Sequence, residues 1–300
     1  MQHPTLSVIF CSISQERYDR CSANVMATAD VTVELIRIDN RVHEWSIAKA
    51  YNEGAKRANG EYLLFLHEDV EFEKHGWGGP LLEKLAEPTC GVVGFIGSKI
   101  YIDAISPWWP PTYKPYGYVI GIRDGALDVL RHQDAVDGAS YFEPVIVVDG
   151  LGMAVRKEVW ARCPFDEENL TGFHCYDIDF SLSVAHAGYN NYAYSWGITH
   201  FSNGNYDESW LNQTVNLLES KWQPLLPMSL DYTLLDRCEK ISADTDYDYI
   251  FRFFRQGIAK PLAQKMFRRY MRKSRHSKYY RSHMFVVFWT YLRKYAFKRS

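Results

Sequence analysis

The last fifty residues of this 300-residue chain contain no aspartate and no glutamate. Residues 251–300 hold 15 of the 34 lysines and arginines, so the first 250 carry the remaining 19 against all 36 acidic side chains. The tail is at +15 and the body at −17, a split hidden by the overall charge of −2. A block of one sign usually forms a solvated interaction surface. The partner of this one is anionic: phospholipid, nucleic acid or the acidic body itself.

Cysteine is sparse. Cys11, Cys21, Cys90, Cys163, Cys175 and Cys238 form no C-x-x-C pair, which argues against a structural zinc ribbon and a disulfide framework and fits a reducing cytoplasm. No stretch of roughly 18 uninterrupted apolar residues occurs, so no membrane span is expected. The apolar run Leu6 to Cys11 is only strand length, which speaks against a secretory leader. No glycine-rich phosphate loop follows that run, where Cys11-Ser12-Ile13-Ser14 stands instead, and this counts against a nucleotidyltransferase. Internal repeats and low-complexity tracts are missing as well.

What is present suffices for a full α/β core, at 47% hydrophobic and 15% aromatic residues. Leu6 to Cys11 reads as a strand covered on both faces, and Val31 to Ile38 as an alternating strand running into the turn residues Asp39-Asn40. Ser46 is placed to cap a helix with Ile47, Ala50, Tyr51, Gly54 and Ala58 on one face, which Asn59-Gly60 ends. Glu61 to Leu66 is a further buried strand. Strand, helix, strand at these lengths implies a right-handed crossover and a mostly parallel sheet flanked by helices. Pro107 to Pro115, rich in proline and tryptophan, reads as a loop; Val145 to Val148 reads as a strand, and Lys157 to Ala161 and Asp177 to Gly188 as helices. Past Pro224 and Pro227 the composition turns aromatic and basic, which sets an expected boundary near 228, with a domain over 1–228 and a helical extension over 229–300.

In an open parallel sheet, ligands bind beyond the carboxyl ends of the strands. That rule nominates Ser12, Asp39 and the triplet His67-Glu68-Asp69. Carboxylates there suit Mg²⁺ or Mn²⁺ held together with phosphates, although acids at a strand end also serve as plain solvent-facing charge. Asp177 and Asp179 stand at a predicted helix start, where they fit either the helix dipole or a general base. His200 closes a short strand-like run and, taken alone, reads more readily as a structural histidine than as a ligand.

Together these pieces resemble the family-2 glycosyltransferases of the nucleotide-sugar-binding GT-A fold, over about 200 residues from LSVIFCSI to THFSNG. In that family an apolar first strand runs into a small polar residue, as Val8 to Ser12 does here, and an acid follows the second strand, as Asp39 does. Ser46 to Asp69 is similar to its asparagine- and glycine-bearing helix, its GEY strand and its acidic metal motif, which matches Asn52 and Asp69. Val148 to Arg156 is similar to the glycine-bearing strand beside the donor sugar, and Tyr176-Asp177-Ile178-Asp179 to the ED-x-D catalytic segment. Two departures stand out. His67 replaces the first acid of the DxD motif, and Tyr176 replaces the glutamate of ED-x-D.

The resemblance implies inverting transfer of a sugar, of hexosyltransferase type, from a UDP- or GDP-sugar to a glycan or lipid-linked acceptor in polysaccharide biosynthesis. It implies Mn²⁺ or Mg²⁺ on Asp69 and His200, and Asp177 as general base. Ser12, Asp39, Asn52, Glu68, Asp149 and Gly150 are then the donor-binding residues. Trp108, Trp109 and Tyr113 are candidates for an acceptor platform or for a loop packed on the core, with Asp179 as an acceptor-side or orienting acid. A catalytically inactive scaffold of the same fold is the alternative, since His67 weakens the metal motif.

In the tail, Phe251, Phe254, Ile258, Leu262, Met266 and Tyr270 fall at helical spacing among arginines and lysines, with Pro261 starting a new helix or kinking this one. Met284 to Leu292 follows, too short to cross a bilayer. The pattern predicts helices lying peripherally on an anionic, cytoplasmic membrane face, and its large apolar share suits lipid better than nucleic acid. The alternative is docking on the acidic body or on a second copy as a homodimer.

Overall fold

The expected strand at the start of the chain is β1 (Leu6–Ser12), buried along almost its whole length as a strand covered on both faces must be. Ser14 caps α1 (Gln15–Thr28) by accepting from Arg17 N, and β2 (Val33–Asp39) follows. Asp39 caps the single turn α2 (Asn40–His43). Ser46 caps α3 (Ile47–Arg57) through Lys49 N, as its position in the sequence predicts. A Cβ on Gly54 of α3 would stand 2.3 Å from Ile9 Cγ2, so the close crossing of α3 over β1 requires glycine there. β3 (Tyr62–Leu66) and β4 (Val70–Phe72) enclose the His67-Glu68-Asp69 connection.

The chain continues through α4 (Gly78–Leu85), β5 (Cys90–Gly94), β6 (Ile96–Ser98), β7 (Ile100–Tyr101), β8 (Tyr116–Arg123) and β9 (Ala126–Arg131). Next come β10 (Phe142–Val145), β11 (Val147–Val148), β12 (Gly152–Arg156), α5 (Lys157–Arg162), α6 (Tyr176–His186), β13 (Asn190–Tyr194) and β14 (Ile198–His200). The last elements are α7 (Glu208–Leu217), β15 (Met228–Ser229), α8 (Cys238–Gln256), α9 (Lys260–His276) and α10 (Lys278–Tyr291). This computed structural model describes residues 5–110, 115–123, 126–131, 142–202, 204 and 206–296.

The main sheet has the order β10-β13-β5-β12-β3-β1-β2. Five of its seven strands run the same way, and β12 and β10 run against them. The antiparallel insertion of β12 is what builds the site. Because Gly152 pairs with Leu66, the turn that enters β12 arrives at the carboxyl end of β3, and His67 N donates to Leu151 O at 3.0 Å. A second sheet, β11-β6-β8-β14-β4 with β9 beside β8, supplies the other wall. There His200 pairs with Val70, and Phe201 N donates to Asp69 O at 2.9 Å.

The strand expected over Val145 to Val148 is two strands in two sheets. β10 pairs with β13 in the main sheet and β11 with β6 in the second, so the chain changes sheets at Ile146.

Two compact units result, one of Met1–Lys99 with Lys114–Asn205 and one of Ile100–Tyr113 with Tyr206–Ser300. Position 228 lies inside the second unit. There Met228 and Ser229 of β15 pair with Tyr101 and Ile100 of β7, and Asp246 of α8 accepts from Ile105 N at 2.7 Å. The core of this unit gathers Ile105, Trp210, Leu211, Phe253, Phe254, Leu262, Met266, Tyr270 and Val287. Most of the apolar tail face that the sequence offers to a membrane is therefore spent inside the protein: Phe254, Ile258, Leu262, Met266 and Tyr270 are all buried. What α10 leaves outside is Phe285, Val286 and Trp289. Gly257, at φ 86°, ends α8, and Pro261 sits in the first turn of α9, so the proline starts a new helix and does not kink an old one. Among the described residues no helix is long and apolar enough to cross a membrane.

Candidate active site

His67, Glu68 and Asp69 leave the carboxyl end of β3 and make three different attachments. Glu68 is buried and accepts from Ile13 N at 3.2 Å and Ser14 N at 3.0 Å, so it fastens the loop after β1. Asp69 Oδ1 lies 3.8 Å from His67 Nδ1 and 3.4 Å from Nε2 of His200, which the β14–β4 pairing delivers. One ligand atom from each of His67, Asp69 and His200 lies within 4.8 Å of the other two.

The three side chains shift one another's protonation. Burial favours a protonated Asp69, but the neighbouring imidazoles of His200 and His67 win and hold its carboxyl at about 2. Burial also opposes charge on His200, and the Asp69 carboxylate outweighs it and raises that imidazole. His67 goes the other way: burial lowers it, and Asp69 does not fully compensate. Nε2 of His200 is nevertheless a buried nitrogen with no hydrogen-bond partner among the described residues. An unprotonated imidazole nitrogen and an ionised carboxylate facing each other at 3.4 Å present two lone pairs to one space, and a divalent cation suits both donors.

On the facing turn, Asp149 Oδ1 accepts from Leu151 N at 2.8 Å, and Gly150 N donates to Asp177 Oδ2 at 3.2 Å. Asp177 stands in the first turn of α6. Its side chain keeps part of its surface accessible, yet the packing around it, with the Asp149 carboxylate, pushes its pKa up to about 7, and the hydrogen bond from Gly150 only limits the rise. Beside it, Tyr176 Oη lies 2.6 Å from His67 Nε2 and 3.2 Å from Gly150 O. A Cβ on Gly150 would stand 2.2 Å from that oxygen, so this position requires glycine.

Ser12 is buried and accepts from Arg37 Nε at 3.0 Å. Asp39 ends β2 as expected, but both its oxygens hold Arg41, at 2.8 and 2.5 Å, and these contacts keep its carboxyl at about 2. Asn52 departs from the donor-binding expectation. Its Nδ2 donates to Phe165 O and Glu167 Oε2, and its Oδ1 accepts from Phe165 N and Trp160 Nε1, so the amide is spent inside the protein. Asp179 is buried at 2% exposure, which withdraws it from an acceptor. Trp108 is buried as well, its ring 4.3 Å from that of half-buried Trp109, and both belong to the second unit. Tyr113 lies outside the described residues. The sequence did not reveal that His67 stands beside Asp69 and His200, or that Tyr176 touches it. The signal available was that both are departures from one family pattern.

Comparison with known proteins agrees with this architecture. GalNAc-T7, solved in a crystal structure with UDP, GalNAc and Mn²⁺, superposes with a TM-score of 0.52 over 98% of this chain at 13% identity, which shows the shared GT-A fold. The chain spans 58% of that protein's length. A curated protein of Fuscovulum blasticum, described as ATP synthase subunits region ORF 6, is 24% identical over 231 residues, 73% of this chain and 86% of that one. Residues 7–218, which carry β1, the acidic connection, the β12 turn, α6 and His200, match the model of the glycosyltransferase-like family, and the chain belongs to that family.

Proposed function

We propose that the chain is a metal-assisted inverting glycosyltransferase of hexosyl type, moving a sugar from a nucleoside diphosphate sugar to a hydroxyl of a glycan or lipid-linked acceptor. The observation that carries this reading is the pairing of two unlike carboxylates on one sheet end. Asp69 is held ionised beside the orphaned Nε2 of His200, and Asp177 is poised at about 7. One suits a cation and the other suits a proton in transit.

Asp69 and His200 hold the divalent cation, Mn²⁺ or Mg²⁺. Such an ion, when bound, supplies Lewis-acid neutralisation of the charge that grows on the departing diphosphate. Asp177 takes the proton of the acceptor hydroxyl as that oxygen attacks the anomeric carbon. The bond from the anomeric carbon to the diphosphate breaks on the opposite face, so the configuration inverts and no covalent sugar-protein intermediate forms. Gly150 N holds Asp177 Oδ2, which orients the base without protonating it. Asp149 and the Gly150 backbone flank the donor sugar, and Asp39 lines the nucleotide end at the tip of β2, with Ser12 buried behind it holding Arg37. Glu68 contributes by fixing the loop that carries Ser14. That GalNAc-T7 was solved with UDP and Mn²⁺ supports the donor class.

The test is calorimetry and thermal melting of the full chain with UDP, GDP and their sugars, with and without Mn²⁺ or Mg²⁺. A nucleoside diphosphate at about 100 times its Kd stabilises the folded state by about 2.7 kcal/mol, and this is expected only when the cation is present. Asp69→Ala should abolish that gain while leaving the unliganded melting temperature near wild type. A folded wild-type chain that binds no nucleoside diphosphate with either cation overturns the reading.

A further inference from the structure

The two positions where this chain departs from the pattern of its family, His67 and Tyr176, touch each other across 109 residues of sequence, with His67 Nε2 2.6 Å from Tyr176 Oη. A phenol carries one proton. Tyr176 Oη also lies 3.2 Å from Gly150 O, a carbonyl that can only accept, so the hydroxyl donates there and receives a hydrogen bond from His67 Nε2–H. The other ring nitrogen, Nδ1, is then bare. It lies 3.8 Å from Asp69 Oδ1, too far for a hydrogen bond and on the side where Nε2 of His200 also meets that carboxylate. The opposite tautomer would leave an Nδ1 proton without an acceptor and Gly150 O without its donor.

The frame behind this contact is rigid. His67 N is tied to Leu151 O, and its carbonyl accepts from Cys21 Sγ. Tyr176 is buried against Tyr51 and Phe165. Cys175, at φ 66°, turns the chain into α6 so that Tyr176 and Asp177 both close on Gly150, one on its carbonyl and one on its N–H.

We propose that His67 is a third ligand of the cation site, presenting Nδ1, and that Tyr176 is the positioning residue that fixes its tautomer and ring orientation. This rests on the metal-binding reading above and extends it: the ligand set is two imidazoles and one carboxylate. Such a set favours Mn²⁺ and later first-row ions over Mg²⁺, which binds oxygen and gives up water reluctantly. A hydrogen-bond partner behind a ligating histidine is typically worth about 10- to 100-fold in metal affinity.

The experiment is direct titration of the full chain with Mn²⁺ alone, by electron paramagnetic resonance of the free ion, with pulsed measurement of nitrogen couplings on the bound ion. Wild type should show two imidazole nitrogens, and His67→Ala one. Tyr176→Phe, which keeps the ring packing, should weaken Mn²⁺ by about 10- to 100-fold, and should cost nothing further when added to His67→Ala. Mg²⁺ should compete poorly with Mn²⁺ in wild type and less poorly in His67→Ala. If wild type binds Mn²⁺ but shows a single imidazole nitrogen, or His67→Ala keeps the wild-type affinity and nitrogen count, the proposal is wrong while the site stands. The same holds if Tyr176→Phe binds as wild type does. If Tyr176→Phe fails to fold, the His67→Ala nitrogen count and its Mg²⁺ competition still decide. A wild type that binds no Mn²⁺ overturns the site and this assignment together.

Discussion

Asp177 carries the sharpest residue-scale consequence. Its carboxyl is raised from 3.8 to about 7 by the packing around it and by Asp149, so the folded chain holds a proton there that the unfolded chain releases. The stability contribution is therefore fully present below about pH 4 and is lost as pH rises towards 7. Asp177→Asn removes that loss. Its unfolding free energy, read from the urea midpoint, should match wild type near pH 4 and exceed it at pH 8 by on the order of 1–4 kcal/mol. Transfer should move oppositely. The wild-type rate climbs about tenfold per pH unit up to about 7 and levels off, while Asp177→Asn keeps donor binding and loses roughly 10²-fold or more in turnover. Equal loss of donor affinity and turnover would make Asp177 a binding residue. At this scale the strand-end acids were legible, because a buried apolar run followed by a carboxylate marks a sheet tip whatever the rest of the chain does. The contact of His67 with Tyr176 was not, since only the antiparallel entry of β12 and the turn at Cys175 bring residues 109 apart within hydrogen-bond reach.

At the scale of elements, the helices of the second unit depend on an ionic lock that periodicity does not reveal. Asp246 of α8 accepts from Ile105 N at 2.7 Å, from Lys273 Nζ of α9 at 2.9 Å and from Tyr280 Oη of α10 at 2.6 Å. Lys273 also pairs with Asp103 at 3.1 Å, and buried Arg269 pairs with Asp103 too. Removing one partner leaves the others buried without compensation, so Asp246→Ala should cost about 3–5 kcal/mol, read as a drop in urea midpoint. On α10, two faces of one turn divide sharply. Val287 is 0% exposed and Trp289 is 52% exposed. Val287→Ser should lose about 2–4 kcal/mol by removing buried apolar surface and burying a hydroxyl, whereas Trp289→Ser should leave the melt unchanged. Helix existence was readable from the apolar spacing, and an interruption at Pro261 from the proline, which left a new helix and a kink both open. Sheet membership at Ile146 was not, because pairing is set by distant strands and a four-residue apolar run looks alike in one sheet or two.

For the whole molecule, the charge split of the sequence is the property to test, although Arg269 and Lys273 of the tail are spent on Asp103 and Asp246. Removing residues beyond 228 is a poor way to test it, because that cut discards Phe253, Met266 and Val287 from the core that Ile105, Trp210 and Leu211 share. Charge reversal of exposed residues leaves that core intact. Arg272, Arg275, Lys278 and Arg281 are all exposed on α9 and α10, and Phe285, Val286 and Trp289 lie on α10. Basic side chains beside aromatic ones are the composition of a helix resting in an anionic membrane interface, where each charge is worth about 1 kcal/mol and the aromatics reach the acyl boundary. A body at −17 is repelled by such a surface, so any net attraction has to come from the tail. The full chain should therefore sediment with vesicles containing anionic phospholipid and not with neutral ones. Binding should weaken as salt rises, because the screening length falls from about 10 Å at 0.1 M to about 3 Å at 1 M. Reversing the four basic residues to glutamate should weaken binding by about a thousandfold or more at low salt, and Phe285→Ser with Trp289→Ser should weaken it in a way that salt does not change. Analytical ultracentrifugation supplies the opposing outcome. If the chain ignores anionic vesicles and sediments as a dimer that these substitutions dissociate, the exposed face of α10 is a contact between two copies, and the membrane reading falls.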